Sequence, residues 1–305
     1  MSDTPTSAPP KPRVSIGMPV YNSEKYVGAS IDSHLNQTYI DFELIITDNA
    51  STDRSEEICR GFASRDPRVK YFRNPQNLGA AGNFRRCFEL STGEYFRWTP
   101  SDDLVSPNLL ERAVQILDQD HSVFVAYPRT KLIDGEGKLL QDFEERLHLM
   151  EDRPSTRWKG VIQNVRLGNL QYGLNRADLF RRTGLLRNYS GGDFPLIAEM
   201  SLYGKFYEIS DAFFYRRMHE GASTALKSSA DVMAFYDPTK REKLFLYNWV
   251  HLGAHFKSVW RSPVAFLEKV RIYGFQARCF IWGWRTYLRE LTDAASQTAR
   301  KLKQS

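Results

Sequence analysis

The sequence is poor in cysteine, with 3 cysteines in 305 residues. Cys59, Cys87 and Cys279 lie far apart and form no Cys-x-x-Cys pair, which excludes a disulfide scaffold and a cysteine-based metal site. Reduced thiols of this kind are typical of a cytoplasmic protein. No segment approaches the roughly 18 apolar residues that a membrane-spanning helix needs. The stretch 1–12 is rich in Ser, Thr and Pro and is expected to be a flexible tail rather than a signal peptide.

Several catalytic motifs are also missing. The glycines at 79–82 precede a predicted helix but lack the G-x-G-x-x-G spacing and the lysine of a P-loop, which excludes both kinds of phosphate site. No Gly-x-Ser-x-Gly elbow is present. His251 and His255 are one helical turn apart, but Leu252 replaces the glutamate of a His-Glu-x-x-His zinc site. These histidines are therefore expected to pack or to face solvent.

The composition is that of an ordinary soluble globular protein, with 42% hydrophobic and 26% charged residues. The length is compatible with one large or two small domains at about 150 residues each. The 42 basic and 36 acidic residues give a net charge of +6. This modest excess suits an anionic ligand or an anionic membrane surface as well as nucleic acid.

Strand-like and helix-like segments alternate from residue 13 onward. A helix after Ser23, for example, carries Val27, Ile31 and Leu35 on one face, and another is expected to start at 106–107. Strands separated by helices of about 10 to 15 residues require right-handed crossovers. We therefore predict an α/β fold with a doubly wound, mostly parallel sheet and helices on both faces. The predicted strands span 14–18, 42–46, 69–72, 95–98 and 123–127.

An aromatic ring and three carboxylates follow three of these strands. Tyr21 follows the first strand, Asp48 the second, and Asp102 with Asp103 the fourth. Ligands of doubly wound sheets bind beyond the carboxyl ends of the strands. A ring can stack on a base, a lone carboxylate can accept a base N–H, and adjacent carboxylates can hold a divalent metal against phosphates. The set predicts a nucleotide-diphosphate site, although each feature alone is also common as a plain structural element.

Five short motifs occur in a fixed order in this region. They are Pro-Val-Tyr-Asn at 19–22, Asp-Asn-Ala-Ser-Thr-Asp at 48–53, Asn-Leu-Gly at 77–79, Gly-Glu-Tyr at 93–95 and Ser-Asp-Asp at 101–103. Together they resemble the nucleotide-binding half of family 2 glycosyltransferases of the GT-A fold group, and the resemblance continues more loosely to about residue 219. It implies the GT-A fold, a nucleotide-sugar donor that is usually uridine-linked, a Mn²⁺ or Mg²⁺ ion, and inversion at the anomeric carbon.

The resemblance also implies roles for single residues. Tyr21 would stack near the base and Asp48 would accept its ring N–H. Asp102 would approach the ribose, and Asp103 would coordinate the metal. The other donor-binding positions that it implies are Pro19, Asn22, Asn77, Gly79 and Asn83.

In the acceptor half, Asp193 follows two glycines and opens a predicted helix. Inverting transfer needs a base that takes the proton of the acceptor hydroxyl, and the segment resembles the acidic motif in which the family keeps this base. Asp193 is therefore predicted to be catalytic, the alternative being a helix cap. Arg217 and His219 resemble the family's Arg-x-His segment, which implies contact of Arg217 with the diphosphate and of His219 with the metal or a phosphate.

Three positions depart from the family pattern. Pro100 replaces an acidic residue of the metal motif, Gly82 replaces an arginine, and Gly192 replaces a second acidic residue. These departures keep open a catalytically degenerate protein that binds a nucleotide sugar or a partner. A sugar nucleotidyltransferase is the other alternative, but it would carry a Gly-rich, basic signature where this chain has Tyr-Asn at 21–22. The spacing alone also leaves a retaining outcome open.

The C-terminal part mixes aromatic with basic side chains, such as Trp282 and Trp284 with Arg278 and Arg285. This mixture is typical of a helix in a membrane interface. The preferred interpretation is a helix packed on the catalytic domain, and peripheral membrane contact through 262–292 stays open beside it. No nucleic-acid-binding motif is present, so nucleic acid is not an expected partner.

These features divide the chain into the tail 1–12, a GT-A domain at 13–225 and a helical region at 226–305. The domain would consist of a nucleotide-binding half, 13–130, and an acceptor half, 131–225. The resemblance implies metal-dependent transfer from a UDP-sugar to a hydroxyl of a carbohydrate or lipid-linked acceptor, in the synthesis of cell-surface polysaccharide or glycoconjugates. The expected location is the cytoplasm, or the inner face of the membrane if the helices bind it.

Overall fold

The computed structural model describes residues 11–222, 229–236 and 246–304, so most of the predicted tail lies outside the described residues. The strands are β1 (Val14–Val20), β2 (Phe42–Asp48), β3 (Val69–Arg73), β4 (Tyr95–Trp98), β5 (Leu104–Val105), β6 (Val123–Ile133), β7 (Leu139–Phe143), β8 (Leu174–Arg176) and β9 (Lys205–Arg217). The helices are α1 (Val27–Leu35), α2 (Ser55–Ala63), α3 (Gly79–Glu89), α4 (Leu109–Gln119), α5 (Pro154–Asn164), α6 (Ala177–Arg181), α7 (Asp193–Met200), α8 (Ser229–Tyr236), α9 (Tyr247–Arg261) and α10 (Phe266–Gln304), with a 3₁₀ turn at Asn169–Tyr172.

The strands form one sheet with the order β3-β2-β1-β4-β8-β6-β9-β5, and β7 pairs with β6. β1 to β4 pair in parallel, and so do β6 and β9. β8 is antiparallel to both β4 and β6, so β1, β2, β3, β4, β6 and β9 all point the same way. The predicted mostly parallel α/β sheet is confirmed. No strand was predicted at β5, β7, β8 or β9. β5 and β8 have only two and three residues, and β7 is almost fully exposed, so none of the three shows a burial pattern. In β9 the buried positions are two or three residues apart instead of alternating strictly.

Apolar side chains cover both faces of the sheet. β1 and β2 are buried at every position, as is typical of parallel strands between two helical layers. One cluster joins Ile31 of α1 and Leu110 of α4 to the sheet. The other joins Phe88 of α3, Trp158 of α5 and Ile197 of α7. With both faces covered, a ligand can reach the sheet only at its edge, where the strands end.

Two helices begin later than the sequence analysis predicted. α1 begins at Val27 because Ser23 lies in a preceding turn, where its carbonyl oxygen accepts the Val27 N–H at 2.9 Å and its hydroxyl caps no helical N–H. α4 begins at Leu109, and Pro107 lies in the turn before it. β6 in turn extends past its predicted end to Ile133, through a register shift next to Pro128, a position that tolerates a residue without an N–H.

The C-terminal helices are joined to the sheet domain and to each other by charged side chains. Glu199 of α7 is 1% exposed and accepts two hydrogen bonds from Arg261 of α9, at 2.6 and 2.5 Å. Glu290 of α10 accepts the backbone N–H groups of Asn248 and Trp249 at the start of α9. Among the described residues, we find no helix with the length and apolarity to cross a bilayer.

His251 and His255 pack inside the protein, as one of the two interpretations of the sequence proposed. His251 stacks on Tyr247 with a ring distance of 4.1 Å, and its Nε2 lies 3.0 Å from the carbonyl oxygen of Ser190. His255 faces the ring of Trp158, and burial lowers its pKa to about 3. Both side chains are thus part of the packing between α9 and the domain.

Candidate active site

A cleft of about 1560 Å³ lies at the carboxyl ends of β1, β4 and β9. It is therefore at the sheet edge where the sequence analysis placed the ligand. Eight of the predicted site residues line it: Pro19, Tyr21, Asn22, Asn77, Asn83, Asp102, Asp193 and His219. Four others are not among the residues that line it: Asp48, Gly79, Asp103 and Arg217.

The loop after β1 holds Tyr21 at the wall of the cleft. Asn22 has a left-handed backbone, with φ of 46°, and its Oδ1 accepts the backbone N–H of Thr52 at 2.8 Å. Asparagine is one of the few residues with a side chain that adopts this conformation readily. The resulting turn leaves Tyr21 49% exposed, so its ring is free to stack on a planar ligand group.

Asp48 does not reach the cleft. It is fully buried at the end of β2, where Oδ1 accepts the N–H of Ser51 at 2.9 Å. Oδ2 accepts the Tyr71 hydroxyl and an Arg73 N–H, both at 2.6 Å. These partners on β3 hold the carboxylate away from the cleft. The next residue, Asn49, lines the cleft instead.

The two adjacent aspartates have different surroundings. Asp102 lines the cleft, and its Oδ2 lies 2.9 Å from Nε2 of His219. Asp103 is 4% exposed and accepts the backbone N–H of Arg217 at 2.7 Å. Burial, together with the charge of Asp102, raises the pKa of Asp103 well above its usual range. The structure therefore pairs His219 with Asp102, whereas the sequence analysis paired it with Asp103.

A divalent metal ion fits the Asp102–His219 pair as a partial site. The pair offers one carboxylate and one imidazole nitrogen to the cleft, and Pro100 beside it adds no carboxylate. Within the described ranges no three His, Cys, Asp or Glu side chains form a metal-holding group. Mg²⁺ typically binds through one or two carboxylates, substrate phosphates and water, and Mn²⁺ shares these ligands. The two residues match such a substrate-completed site.

Asp193 lies at the start of α7 on the wall of the cleft. Gly191 before it has φ of +70°, a conformation that favours glycine. Oδ1 of Asp193 is buried and has no hydrogen-bond partner. Burial raises the pKa of this carboxyl, while nearby N–H groups and Arg216 oppose the rise. Asp193 thus brings to the cleft a carboxylate with one unpaired oxygen and a raised pKa, and such a group is suited to accept a proton from a ligand.

Arg216 lines the cleft, whereas the predicted Arg217 does not. Neighbouring residues of a strand point to opposite faces, and Arg217 instead donates to the carbonyl oxygens of Asp102 at 2.8 Å and Gly135 at 3.0 Å. Arg216 donates to Asn169 and brings its guanidinium near Asp193. The Arg-Arg pair at 216–217 was visible in the sequence, but only the register of β9 shows which member lines the cleft. Arg166, which the sequence analysis also missed, lines the same cleft.

Two departures from the family pattern have a steric cause. A Cβ on Gly192 would lie 2.6 Å from the carbonyl oxygen of Arg187, so this backbone has no room for an acidic side chain. A Cβ on Gly82 would lie 2.8 Å from Cβ of Leu78, which excludes an arginine unless α3 shifts. Local packing thus leaves little room for a side chain at either position.

The chain is similar in sequence to known glycosyltransferases. The family model "Glycosyl transferase family 2" matches residues 15–185, more than half of the chain. An uncharacterized glycosyltransferase of Haemophilus influenzae is 41% identical over 112 residues, which are 37% of this chain and 45% of that protein. A chondroitin synthase of Escherichia coli is 28% identical over 219 residues, 71% of this chain and 30% of that protein. The chain thus spans less than half the length of both relatives.

Solved structures show the same fold at low sequence identity. Staphylococcus aureus TarS in complex with UDP-GlcNAc is 18% identical, with a TM-score of 0.64 over 88% of this chain and 72% of that chain. The mannosyltransferase PcManGT of Pyrobaculum calidifontis, in complex with GDP-Man and Mn²⁺, is 18% identical, with a TM-score of 0.54 over 94% of this chain and 76% of that chain. The predicted GT-A fold is confirmed by these neighbours. Since the family model covers most of the sheet and its crossover helices, this chain belongs to glycosyl transferase family 2.

Proposed function

We propose that this protein transfers a sugar from a nucleotide-diphosphate donor, a UDP-sugar, to an acceptor hydroxyl with inversion. The carrying observation is that the cleft contains Asp193, with its unpaired and buried Oδ1, together with the Asp102–His219 pair. The first supplies a base and the second a site for a metal-bound diphosphate. A single displacement needs both in one cleft.

The residues of the cleft have distinct roles in the proposed transfer. Asp193 takes the proton of the acceptor hydroxyl as its oxygen attacks the anomeric carbon. The bond from that carbon to the diphosphate oxygen breaks, and the nucleotide diphosphate leaves with the electron pair. Arg216 and Arg166, which line the cleft, stabilise the charge that develops on the leaving diphosphate. A Mn²⁺ or Mg²⁺ ion held by Asp102 and His219 supplies Lewis-acid charge neutralisation when bound.

The donor and acceptor classes are supported by chemistry and by the relatives. Tyr21, exposed at the wall of the cleft, offers a stacking surface for the base. Structural neighbours bind UDP-GlcNAc and GDP-Man, so a nucleotide diphosphate is the common ligand. The proposed acceptor is a carbohydrate or lipid-linked hydroxyl in cell-surface polysaccharide or glycoconjugate synthesis. Residues 13–130 would bind the donor and residues 131–225 the acceptor.

We expect UDP with Mn²⁺ to raise the melting temperature of the protein more than GDP, CDP or dTDP does. A ligand that binds only the native state stabilises it by about 2.7 kcal/mol at a concentration of 100 times Kd. Thermal denaturation with each nucleotide, with and without Mn²⁺, measures this effect. If no nucleotide shifts the transition with any metal, the donor assignment is wrong and a degenerate, partner-binding protein of the same fold becomes the better account.

We further propose that α10 rests on the cytoplasmic face of an anionic membrane. One side of this helix packs on α9 and α5, with Ile272 and Gln276 buried. Another side exposes an apolar stripe whose members recur at helical spacing, and a row of exposed arginines flanks it. Charge and apolar surface together match an interface of anionic lipid. The stripe consists of Phe266, Val270, Ile281, Trp284, Leu288 and Leu291, and the row of Arg271, Arg278, Arg285 and Arg289.

Replacing Ile281 and Trp284 by serine is expected to weaken binding to vesicles of phosphatidylglycerol and phosphatidylcholine by about tenfold or more. Burial of each such side chain contributes about 1.5 to 3 kcal/mol. Co-sedimentation at low and high salt measures the binding. Ile40→Ser is the matched control, because Ile40 is 74% exposed before β2. Equal vesicle binding by all variants, or none by the wild type, would contradict the membrane proposal.

A further inference from the structure

A second, smaller cavity of about 270 Å³ lies outside the cleft. Four basic side chains line it: Arg85 of α3, Arg187 of the loop before α7, and Lys257 and Arg261 of α9. Its volume is below the roughly 300 Å³ at which small-molecule sites begin. It therefore suits one charged group rather than a whole sugar nucleotide. We call it the basic pocket.

The positive charge of the basic pocket is only partly compensated. Glu199 is engaged by Arg261 through both oxygens and by the Ser258 hydroxyl. Among the ion pairs of the described residues, none includes Arg85, Arg187 or Lys257. Arg85 donates to the neutral amide oxygen of Asn188 at 2.9 Å, and its Nε is buried without an acceptor.

The guanidinium groups are also close to one another. Terminal nitrogens of Arg187 and Arg261 both lie within 3.0 Å of the point that a Cβ on Gly184 would occupy. Like charges at this range repel each other in a partly buried site. An anion between them would replace repulsion by charge-assisted hydrogen bonds, and the forked guanidinium groups match the oxygens of a phosphate.

The basic pocket and the proposed base lie on two sides of one loop. Phe84 and Ser190 line the cleft, while Arg85 and Arg187 line the basic pocket. The carbonyl oxygen of Arg187 lies 2.6 Å from a Cβ built on Gly192, the residue before the base. Ser190, Gly191 and Asp193, which follow in the chain, line the cleft, so a group held at Arg187 would lie beside the wall that contains the proposed base. The proposed metal-bound diphosphate is assigned to Asp102 and His219, which are not part of this loop.

We propose that the basic pocket binds a phosphate group of the acceptor and so orients its hydroxyl towards Asp193. The identification of the anion as part of the acceptor rests on the proposed function. The anion site itself is inferred independently, from the charges and contacts of the basic pocket. The acceptor would accordingly be a phosphorylated or phospholipid-linked carbohydrate. No covalent step takes place in the basic pocket.

The first experiment probes the pocket with inorganic phosphate. Melting temperatures are compared in phosphate and chloride at equal ionic strength, with UDP and Mg²⁺ present to occupy the cleft. The variants are Arg187→Gln and Lys257→Gln, and the matched control is Arg86→Gln, whose side chain is next to Arg85 on α3 but faces Glu89. We expect phosphate to raise the melting temperature of the wild type and of the control. The same rise in Arg187→Gln and Lys257→Gln should require at least a tenfold higher phosphate concentration.

An equal phosphate-induced rise in melting temperature in all four proteins, or no rise in the wild type, would contradict the proposed anion site. UDP binding is measured separately in the same proteins. Absence of UDP binding would contradict the proposed function. The phosphate comparison would then be repeated without UDP, and loss of the phosphate-induced stabilisation in Arg187→Gln would still support an anion site in the basic pocket. The two failures are therefore distinguishable.

A second experiment separates an acceptor phosphate from a membrane headgroup. Binding of decyl phosphate below its micellar concentration is compared with binding of phosphatidylglycerol vesicles. We expect Arg187→Gln to weaken decyl phosphate binding at least tenfold and to leave vesicle binding unchanged. If it instead weakens vesicle binding as strongly as the double serine variant of α10 and leaves decyl phosphate binding unchanged, the anion is a lipid headgroup and the acceptor assignment is wrong.

Discussion

Replacing Asp193 by asparagine is expected to reduce sugar transfer by about 10² to 10⁴-fold, the range that a positioned base contributes. Asparagine keeps the shape of the side chain but cannot accept the proton of the acceptor hydroxyl. The substitution does not alter Asp102 or His219, the residues proposed to bind the metal and the nucleotide diphosphate. The affinity for UDP with Mn²⁺ should therefore stay at the wild-type value. Initial rates of nucleotide release, measured with and without acceptor, together with nucleotide titrations, test both parts.

The same substitution is expected to stabilise the fold at neutral pH. Burial raises the pKa of Asp193 above its ordinary value of 3.8 in the native state, so ionisation of this carboxyl destabilises the native protein. This penalty is absent below pH 3.8 and develops as the pH rises through the native pKa. Denaturant unfolding of wild type and Asp193→Asn from pH 4 to pH 8 should therefore show a difference that grows with pH.

Wild-type activity is expected to follow the same ionisation in the opposite sense. The base is competent only when ionised, so kcat/KM should fall as the pH decreases through the raised pKa. Asp178→Asn is the matched control, because Asp178 lies on the exposed surface of α6. If Asp193→Asn keeps wild-type turnover, Asp193 is not the base and another group takes the proton.

Replacing Asp102 by asparagine is expected to remove the effect of Mn²⁺ on nucleotide binding, whereas replacing Asp103 by asparagine is expected to preserve it. Asp102 faces the cleft beside His219, while Asp103 is buried and accepts the N–H of Arg217. An asparagine at 103 can still accept that hydrogen bond through its amide oxygen. We expect at least a tenfold loss of metal-dependent UDP affinity, about 1.4 kcal/mol, for Asp102→Asn and for His219→Gln.

Titrations of UDP at several Mn²⁺ concentrations measure this affinity for the three variants and the wild type. The pair of neighbouring aspartates serves as its own control, because the substitutions are chemically identical and differ only in burial. Loss of the metal effect in Asp103→Asn, with its retention in Asp102→Asn, would support the assignment from the family resemblance and contradict the one from the geometry.

Local patterns were enough to predict the class of fold and the edge of the sheet at which the cleft lies. Apolar runs and helical faces identified five of the six parallel strands, β1, β2, β3, β4 and β6, because these patterns depend only on burial at each position. The loops after β1 and β4 were also found, since Tyr21 and Asp102 stand shortly after predicted strands, and His219 was found through its resemblance to the family's Arg-x-His segment; all three line the cleft. Asp193 was found because glycines and a helix start surround it in the sequence.

The direction of individual side chains could not be predicted in this way. Asp48 pairs with Tyr71 and Arg73 across β3, and Arg217 turns away from the cleft that Arg216 lines. Each of these outcomes depends on strand register and on partners more than 20 residues away. Such partners leave no trace in the local spacing of a single sequence.

The sequence by itself therefore predicted a mostly parallel α/β sheet, the edge of that sheet where the cleft lies and, through its motifs, the family. The tertiary structure alone decided which of two adjacent aspartates and which of two adjacent arginines line the cleft. It also brought Arg85, Arg187, Lys257 and Arg261 together from three separate segments. The physical reason is that backbone periodicity and capping are local properties, whereas burial, charge pairing and side-chain direction are set by neighbours that only the folded chain brings into contact.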